Sequence, residues 1–180
     1  DRWGTFGSGP GQFNRPSGLA INSEGNILVV DHLNARIQKL TADGNFISEF
    51  GAFGTAEGQF NFPWGIAVDD QDEIWVADWR NDRLQHFTAS GKFLNILGES
   101  GHGDGQFDRP SGVHVAADGS IFVADWRNNR VQLFASDGKH QETLIGDATL
   151  SKWSQEFLDV NPEQASWREN AGLLEEEKRF

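Results

Sequence analysis

The sequence predicts an all-β fold built by repeating one four-stranded antiparallel unit, and three observations carry that reading. The string GQFNRPSG at Gly11 returns as GQFNFPWG at Gly58 and as GQFDRPSG at Gly105, a step of 47 residues taken twice. A second string keeps the same step: DHLNARIQ from Asp31, DWRNDRLQ from Asp78 and DWRNNRVQ from Asp125. The composition agrees, with 21 glycines, 14 phenylalanines and 7 tryptophans and no Cys, Met or Tyr. Frequent glycine with regularly spaced aromatics is how short strands separated by tight turns read in sequence.

Each period resolves into four strands. The first covers Gly18–Asn22, Gly65–Asp69 and Gly112–Ala116 in successive copies, following a proline (Pro16, Pro63, Pro110) that fixes the entry. The second covers Asn26–Asp31, Glu73–Asp78 and Ser120–Asp125, rich in Ile, Val, Phe and Trp. The third runs over Ala35–Leu40, Arg83–Phe87 and Arg130–Phe134, and the fourth over Asn45–Phe50, Lys92–Leu97 and Lys139–Ile145. Asp43-Gly44, Ser90-Gly91 and Asp137-Gly138 join third to fourth as tight hairpins. Four antiparallel strands in 40–50 residues is the size of a propeller blade, whereas ankyrin, tetratricopeptide and leucine-rich repeats are shorter and mostly helical or strand–helix units.

The pattern F-G-x-x-G-x-x-x-G-Q-F-x-x-P-x-G followed by A-D-x-x-N-x-R-x-Q resembles the NHL repeat, and three near-complete copies occupy residues 1–146, about 4–50, 51–97 and 98–146. The resemblance implies an NHL-type β-propeller. Its members build rings of about six blades, so three blades would be half of one. The chain begins within a fourth strand, Trp3-Gly4 aligning with Phe50-Gly51 and Leu97-Gly98. After Gly146 the period lapses. Residues 147–180 are expected to form a helical insertion or cap, with Ser151 and Asn161-Pro162 as helix starts, and Lys178-Arg179-Phe180 leading into a further blade. Three blades leave unpaired flanks, so a homodimer completing the ring is a further expectation.

Composition narrows the function. No run of about 18 apolar residues occurs, so no helical membrane span is expected. The net charge of −12 lowers the expectation of nucleic-acid binding. Zero cysteines exclude disulfides and thiolate zinc sites while leaving the compartment open; a soluble, extracytoplasmic protein whose leader was removed upstream of Asp1 is one option.

In a propeller, the links between blades and the turns between second and third strands emerge at one mouth of the central channel. Asp31, Asp78 and Asp125, with Asn34, Asn81, Asn128 and Arg36, Arg83, Arg130, recur in every copy and read as scaffold, a turn aspartate meeting an arginine five residues on. Positions that vary point to binding. Trp79-Arg80 and Trp126-Arg127 stand where the first copy has His32-Leu33, and Trp64 replaces Ser17 and Ser111. Trp and Arg are the residues most enriched at binding hot spots. Arg15 and Arg109 flank the same mouth. His114, where Ala20 and Ala67 stand in the other copies, is expected to point into the channel as a weak candidate metal or acid–base residue.

The expected function is therefore a scaffold binding a protein or small-molecule ligand through Trp79, Arg80, Trp126, Arg127, His32, Trp64, Arg15 and Arg109, with no catalysis by the residues present and no cofactor. Two alternatives come with the family resemblance. Peptidyl-hydroxyglycine amidating lyases hold a metal in the channel and place a histidine after the inner-strand proline, a slot filled here by Ser17, Trp64 and Ser111. Lactonase-type propellers hold a divalent ion through acidic ligands around the ring, of which Asp69 and Asp70 would be fragments, so a metal-dependent enzyme would need blades outside this chain. The second alternative is RNA binding, known in NHL domains of tripartite-motif proteins, which asks for a basic face with aromatic platforms.

Overall fold

The computed structural model describes residues 4–146. The residues expected to form the helical tail lie outside the described part. A two-residue strand β1 (Thr5–Phe6) runs parallel to β2 (Gln12–Phe13). The first blade follows as β3 (Pro16–Ile21), β4 (Ile27–Asp31), β5 (Arg36–Leu40) and β6 (Phe46–Phe50). The second comprises β7 (Pro63–Val68), β8 (Ile74–Asp78), β9 (Arg83–Phe87) and β10 (Phe93–Leu97). A second parallel pair, β11 (Glu99–Ser100) with β12 (Gln106–Phe107), precedes the third blade, β13 (Pro110–Val115), β14 (Ile121–Asp125), β15 (Arg130–Phe134) and β16 (His140–Ile145). Each blade is a meander in sequence order, as the repeat predicts.

Several strand ends fall one residue inside the sequence reading, and two further shifts have a clear physical cause. The inner strands start at the proline, two residues early, because Pro16, Pro63 and Pro110 each pair with the aspartate that ends the neighbouring strand, past a bulge. Proline tolerates a strand's first position, where no donor is required. The third strand of the first blade begins at Arg36 rather than Ala35. The link from second to third strand is one 3₁₀ turn (His32–Asn34, Trp79–Asn81, Trp126–Asn128) closed by a left-handed residue, Ala35, Asp82 or Asn129, each with φ 51°. That left-handed step ends the turn and breaks the extended run.

The cores lie between blades. Leu28, Val30, Ala35 and Ile37 of the first blade pack against Ile66, Ile74, Val76 and Phe87 of the second, with Phe60 of the connecting loop fully buried among them. Ala67, Trp75, Ala77 and Leu84 meet Phe107, Ile121, Val123 and Phe134 in the same way one blade on. Along an inner strand, alternate side chains thus face the preceding and the following blade. Glycine brings the inner strands together: a Cβ on Gly65 would sit 2.6 Å from the Ser111 carbonyl oxygen and 2.9 Å from Gly112 Cα.

The recurring polar residues close one rim. Asp78 is fully buried; its Oδ1 accepts the Asn61 N–H at 2.7 Å, and its Oδ2 accepts Asn81 Nδ2 (2.8 Å), Arg83 Nε (2.9 Å) and Gln85 Nε2 (3.1 Å). Arg83 and Gln85 donate onward to carbonyls of the incoming loop, Arg83 to Ala56 and Gln59, Gln85 to Gln59, while Asn81 donates to Gly54. Asp31 and Asp125 repeat the arrangement. Each blade therefore ties down the loop that enters it. Burial pushes the Asp78 carboxyl up, against the pull of the Asn61, Asn81 and Arg83 donors.

Candidate functional site at the mouth of the blades

The loop residues before the inner-strand prolines and the 3₁₀ turns meet at the same end of each blade. Leu33, Arg80 and Arg127 donate their backbone N–H to the carbonyls of Asn14, Asn61 and Asp108 at 3.0–3.1 Å. Arg15, Phe62 and Arg109, each immediately before a proline, hold left-handed backbones with φ 53°, 56° and 58°. Non-glycine residues pay for that conformation, and such strain gathers where side chains must be aimed.

The aromatic side chains at this end form a continuous ladder. His32 stands 5.0 Å edge-on to Trp64, Trp64 lies 5.8 Å from Trp79, and Trp79 lies 6.2 Å from Trp126. The Arg80 guanidinium sits 4.9 Å over Phe62 and 5.5 Å over Trp79, and Arg109 sits 4.7 Å over Trp79, so two cations converge on the middle of the ladder. A cleft of about 270 Å³ opens between Trp64, Trp79, Trp126 and Ser111. Trp126 is 57% exposed and Trp64 44%, a large apolar area left in water. His32 Nδ1 faces the Pro63 carbonyl at 2.9 Å, which fixes its ring.

Of the eight residues singled out by sequence, His32, Trp64, Trp79, Trp126, Arg80 and Arg109 are drawn into one cluster. Arg15 and Arg127 are exposed at its edge; Arg127 Nε is 3.9 Å from an Asp108 oxygen. His114 is elsewhere, and its expected direction is corrected. The equivalent Ala67 is buried against the third blade, so His114 lies on the face that a following blade would cover, exposed beside Phe122 at 6.4 Å, and does not enter the channel. Alternation in a propeller strand is between neighbouring blades, not between channel and exterior.

Phe62 was missed because it occupies a position that reads as arginine in the other copies. A second group was only partly foreseen, at the opposite end of the middle blade: Asp69, read from sequence with Asp70 as a possible fragment of an ion site, converges there with Glu73 and His86. Period-47 comparison would have exposed it: the first blade carries Asn22, Asn26 and Lys39 there, and the third Ala116, Ser120 and Leu133. Burial holds the His86 imidazole below its usual pKa, against the raising effect of Glu73 and Asp69.

The family model of the NHL repeat matches residues 13–40, 60–87 and 107–134. Among curated proteins, the B-box type zinc finger protein ncl-1 of Caenorhabditis elegans is 47% identical over 45 residues, 25% of this chain and 5% of that protein. The protein brain tumor of Drosophila melanogaster is 43% identical over 49 residues, 27% of this chain and 5% of its own length. The alignments thus span about a twentieth of these relatives. Among solved structures, virginiamycin B lyase from Staphylococcus aureus superposes with a TM-score of 0.55 at 19% identity, over 74% of this chain and 42% of the lyase. Kuenenia stuttgartiensis hydrazine synthase gives 0.58 at 13% identity, over 79% and 40%. At such identities the likeness is one of fold. With three matched repeats at one step and a blade for each, this chain belongs to the NHL-repeat family of β-propeller proteins.

Proposed function

We propose that the chain is a binding module that takes a protein partner through the aromatic mouth, with Trp64, Trp79 and Trp126 as the apolar anchor and Arg80 and Arg109 as cationic flanks. The single observation behind this reading is the Trp64–Trp79–Trp126 ladder, which leaves large aromatic side chains in water on a rigid rim. Such preordered side chains lose little freedom on association. The apolar cleft and its arginines suit a segment carrying aromatic or aliphatic residues beside acidic ones.

A second reading has its own support. Stacked aromatics with guanidinium groups over their faces are also a platform for nucleobases, even in a protein of net charge −12. The experiment that separates them uses the double variant Trp79→Ala/Trp126→Ala, checked for folding by circular dichroism. Affinity capture with the wild-type chain, followed by titration of each captured protein, should give partners whose binding drops at least about tenfold in the variant. Salt-dependent binding of a single-stranded oligonucleotide pool, lost in the same variant, would replace the protein partner with RNA. Unchanged binding of every partner would show that the mouth is not the interface.

A further inference from the structure

At the end of the middle blade away from the aromatic mouth, the turn from β7 to β8 carries Asp69 and Glu73, and β9 presents His86. One oxygen from each carboxylate and an imidazole nitrogen lie within 4.8 Å of one another. His86 is 8% exposed and lies flat on Trp75, ring centroids 3.9 Å apart at an interplanar angle of 13°, so its plane is fixed. Its Nε2 lies 2.9 Å from a Glu73 oxygen, but the contact is one of distance without hydrogen-bond geometry. This buried nitrogen is left without a hydrogen-bond partner, the only such side-chain atom among the described residues. A buried polar atom in that state costs roughly 1–3 kcal/mol unless something outside the protein satisfies it.

The repeat supplies no scaffold reason for the group. The first blade has Asn22, Asn26 and Lys39 at these positions, Lys39 pairing with Glu24 at 3.7 Å, and the third has Ala116, Ser120 and Leu133. Both neighbours fold as the same blade without acidic residues or histidine there. The cluster borders a cavity of about 110 Å³ between the second and third blades, room for an ion and one or two waters.

We propose that Asp69, Glu73 and His86 bind a divalent metal ion of borderline softness, with zinc the best match. Two carboxylates balance the ion's charge, and one imidazole adds the nitrogen that magnesium and calcium do not seek. Ligand atoms about 2.0–2.2 Å from zinc stand roughly 3–3.5 Å apart, which small rotations of the two carboxylate side chains reach. Water supplies the remaining coordination from the cavity. The far nitrogen, Nδ1, faces the Asn95 side-chain amide at 3.4 Å, and that amide can turn its oxygen to accept Nδ1–H, the outer contact that orients a metal-bound histidine.

The test is zinc titration of the chelator-stripped full chain by calorimetry, with bound metal counted after dialysis. The proposal expects one zinc per chain and uptake weakened at least about tenfold in both Glu73→Gln and His86→Gln. It also expects unchanged uptake in His140→Asn, which removes the other histidine found near a carboxylate, 3.7 Å from Asp104. If His86→Gln does not fold, X-ray absorption of the zinc-loaded wild type decides, with a single histidine nitrogen among oxygen ligands expected. No saturable uptake, uptake that survives Glu73→Gln and His86→Gln intact, a shell holding two histidines, or tighter binding of magnesium than of zinc would each overturn it.

Discussion

Replacing Asp78 with alanine should be among the most damaging single changes in this chain. The carboxylate is fully buried and accepts four hydrogen bonds, from the Asn61 backbone and from the Asn81, Arg83 and Gln85 side chains. Arg83 is itself 8% exposed, so the variant leaves a guanidinium buried without its counter-charge. Breaking a buried pair from one side costs about 3–5 kcal/mol, against a total stability of about 5–15 kcal/mol for a typical domain. In a chain of this size that lowers the melting temperature by roughly 6–20 °C. Urea denaturation followed by tryptophan emission reads it directly, since Trp79 adjoins Asp78. The double variant Asp78→Leu/Arg83→Leu should recover part of the loss, because no charge is then stranded. A cost below about 1 kcal/mol for Asp78→Ala would refute the view that this ion pair anchors the loop to the blade.

Gly65→Ala should destabilise by about 1–3 kcal/mol despite its small size, since the new methyl meets inner-strand backbone of the next blade; equal denaturation midpoints for wild type and variant would show that the strands can part at no cost. Asp72 receives the Ser23 hydroxyl and the Ser23 N–H across the first two blades, and these bonds hold its carboxyl below the usual 3.8. The stabilisation is present above pH 3.8 and lost as the pH falls through the folded-state value. Asp72→Asn should therefore flatten the fall in stability as the pH drops below 3.8, and an unchanged slope would speak against the link. Leu19 and Ile21 are 68% and 62% exposed where Ile66 and Val68 of the next blade meet a neighbour. If this flank joins two copies, Leu19→Lys/Ile21→Lys should convert a dimer to a monomer by light scattering; an unchanged mass rules the flank out.

The blades were legible because two motifs share one step, and the buried Asp–Arg pairs because both residues recur where a turn brings them together. The mouth was legible for a different reason: Trp64, Trp79 and Trp126 replace smaller or polar residues in a copy that folds without them. What escaped was direction. Inner-strand alternation looks, in sequence, like any two-sided strand, and only the placement of Ala67 between blades reveals that both sides of the strand face protein. That reassigns His114. Likewise Glu73 and His86 are thirteen residues apart and match no motif; an acidic turn residue and a strand histidine are each ordinary alone. Their meeting depends on the register that sets Trp75 opposite His86.

The loop contacts of Asp31, Asp78 and Asp125 have a consequence for where the chain divides into exchangeable modules. Each aspartate group grips the loop before its own blade, reaching back from Asp78 to Gly54 and Ala56 through Asn81 and Arg83, while Phe60 of that loop plugs the seam to the blade before. A cut placed between β10 and the next loop leaves every hydrogen bond from an aspartate group to its loop inside one segment. A cut between a loop and its inner strand severs them all. Grafting, duplicating or deleting a blade in this protein should therefore follow seams near Gly51 and Gly98, carrying each incoming loop with the sheet it enters.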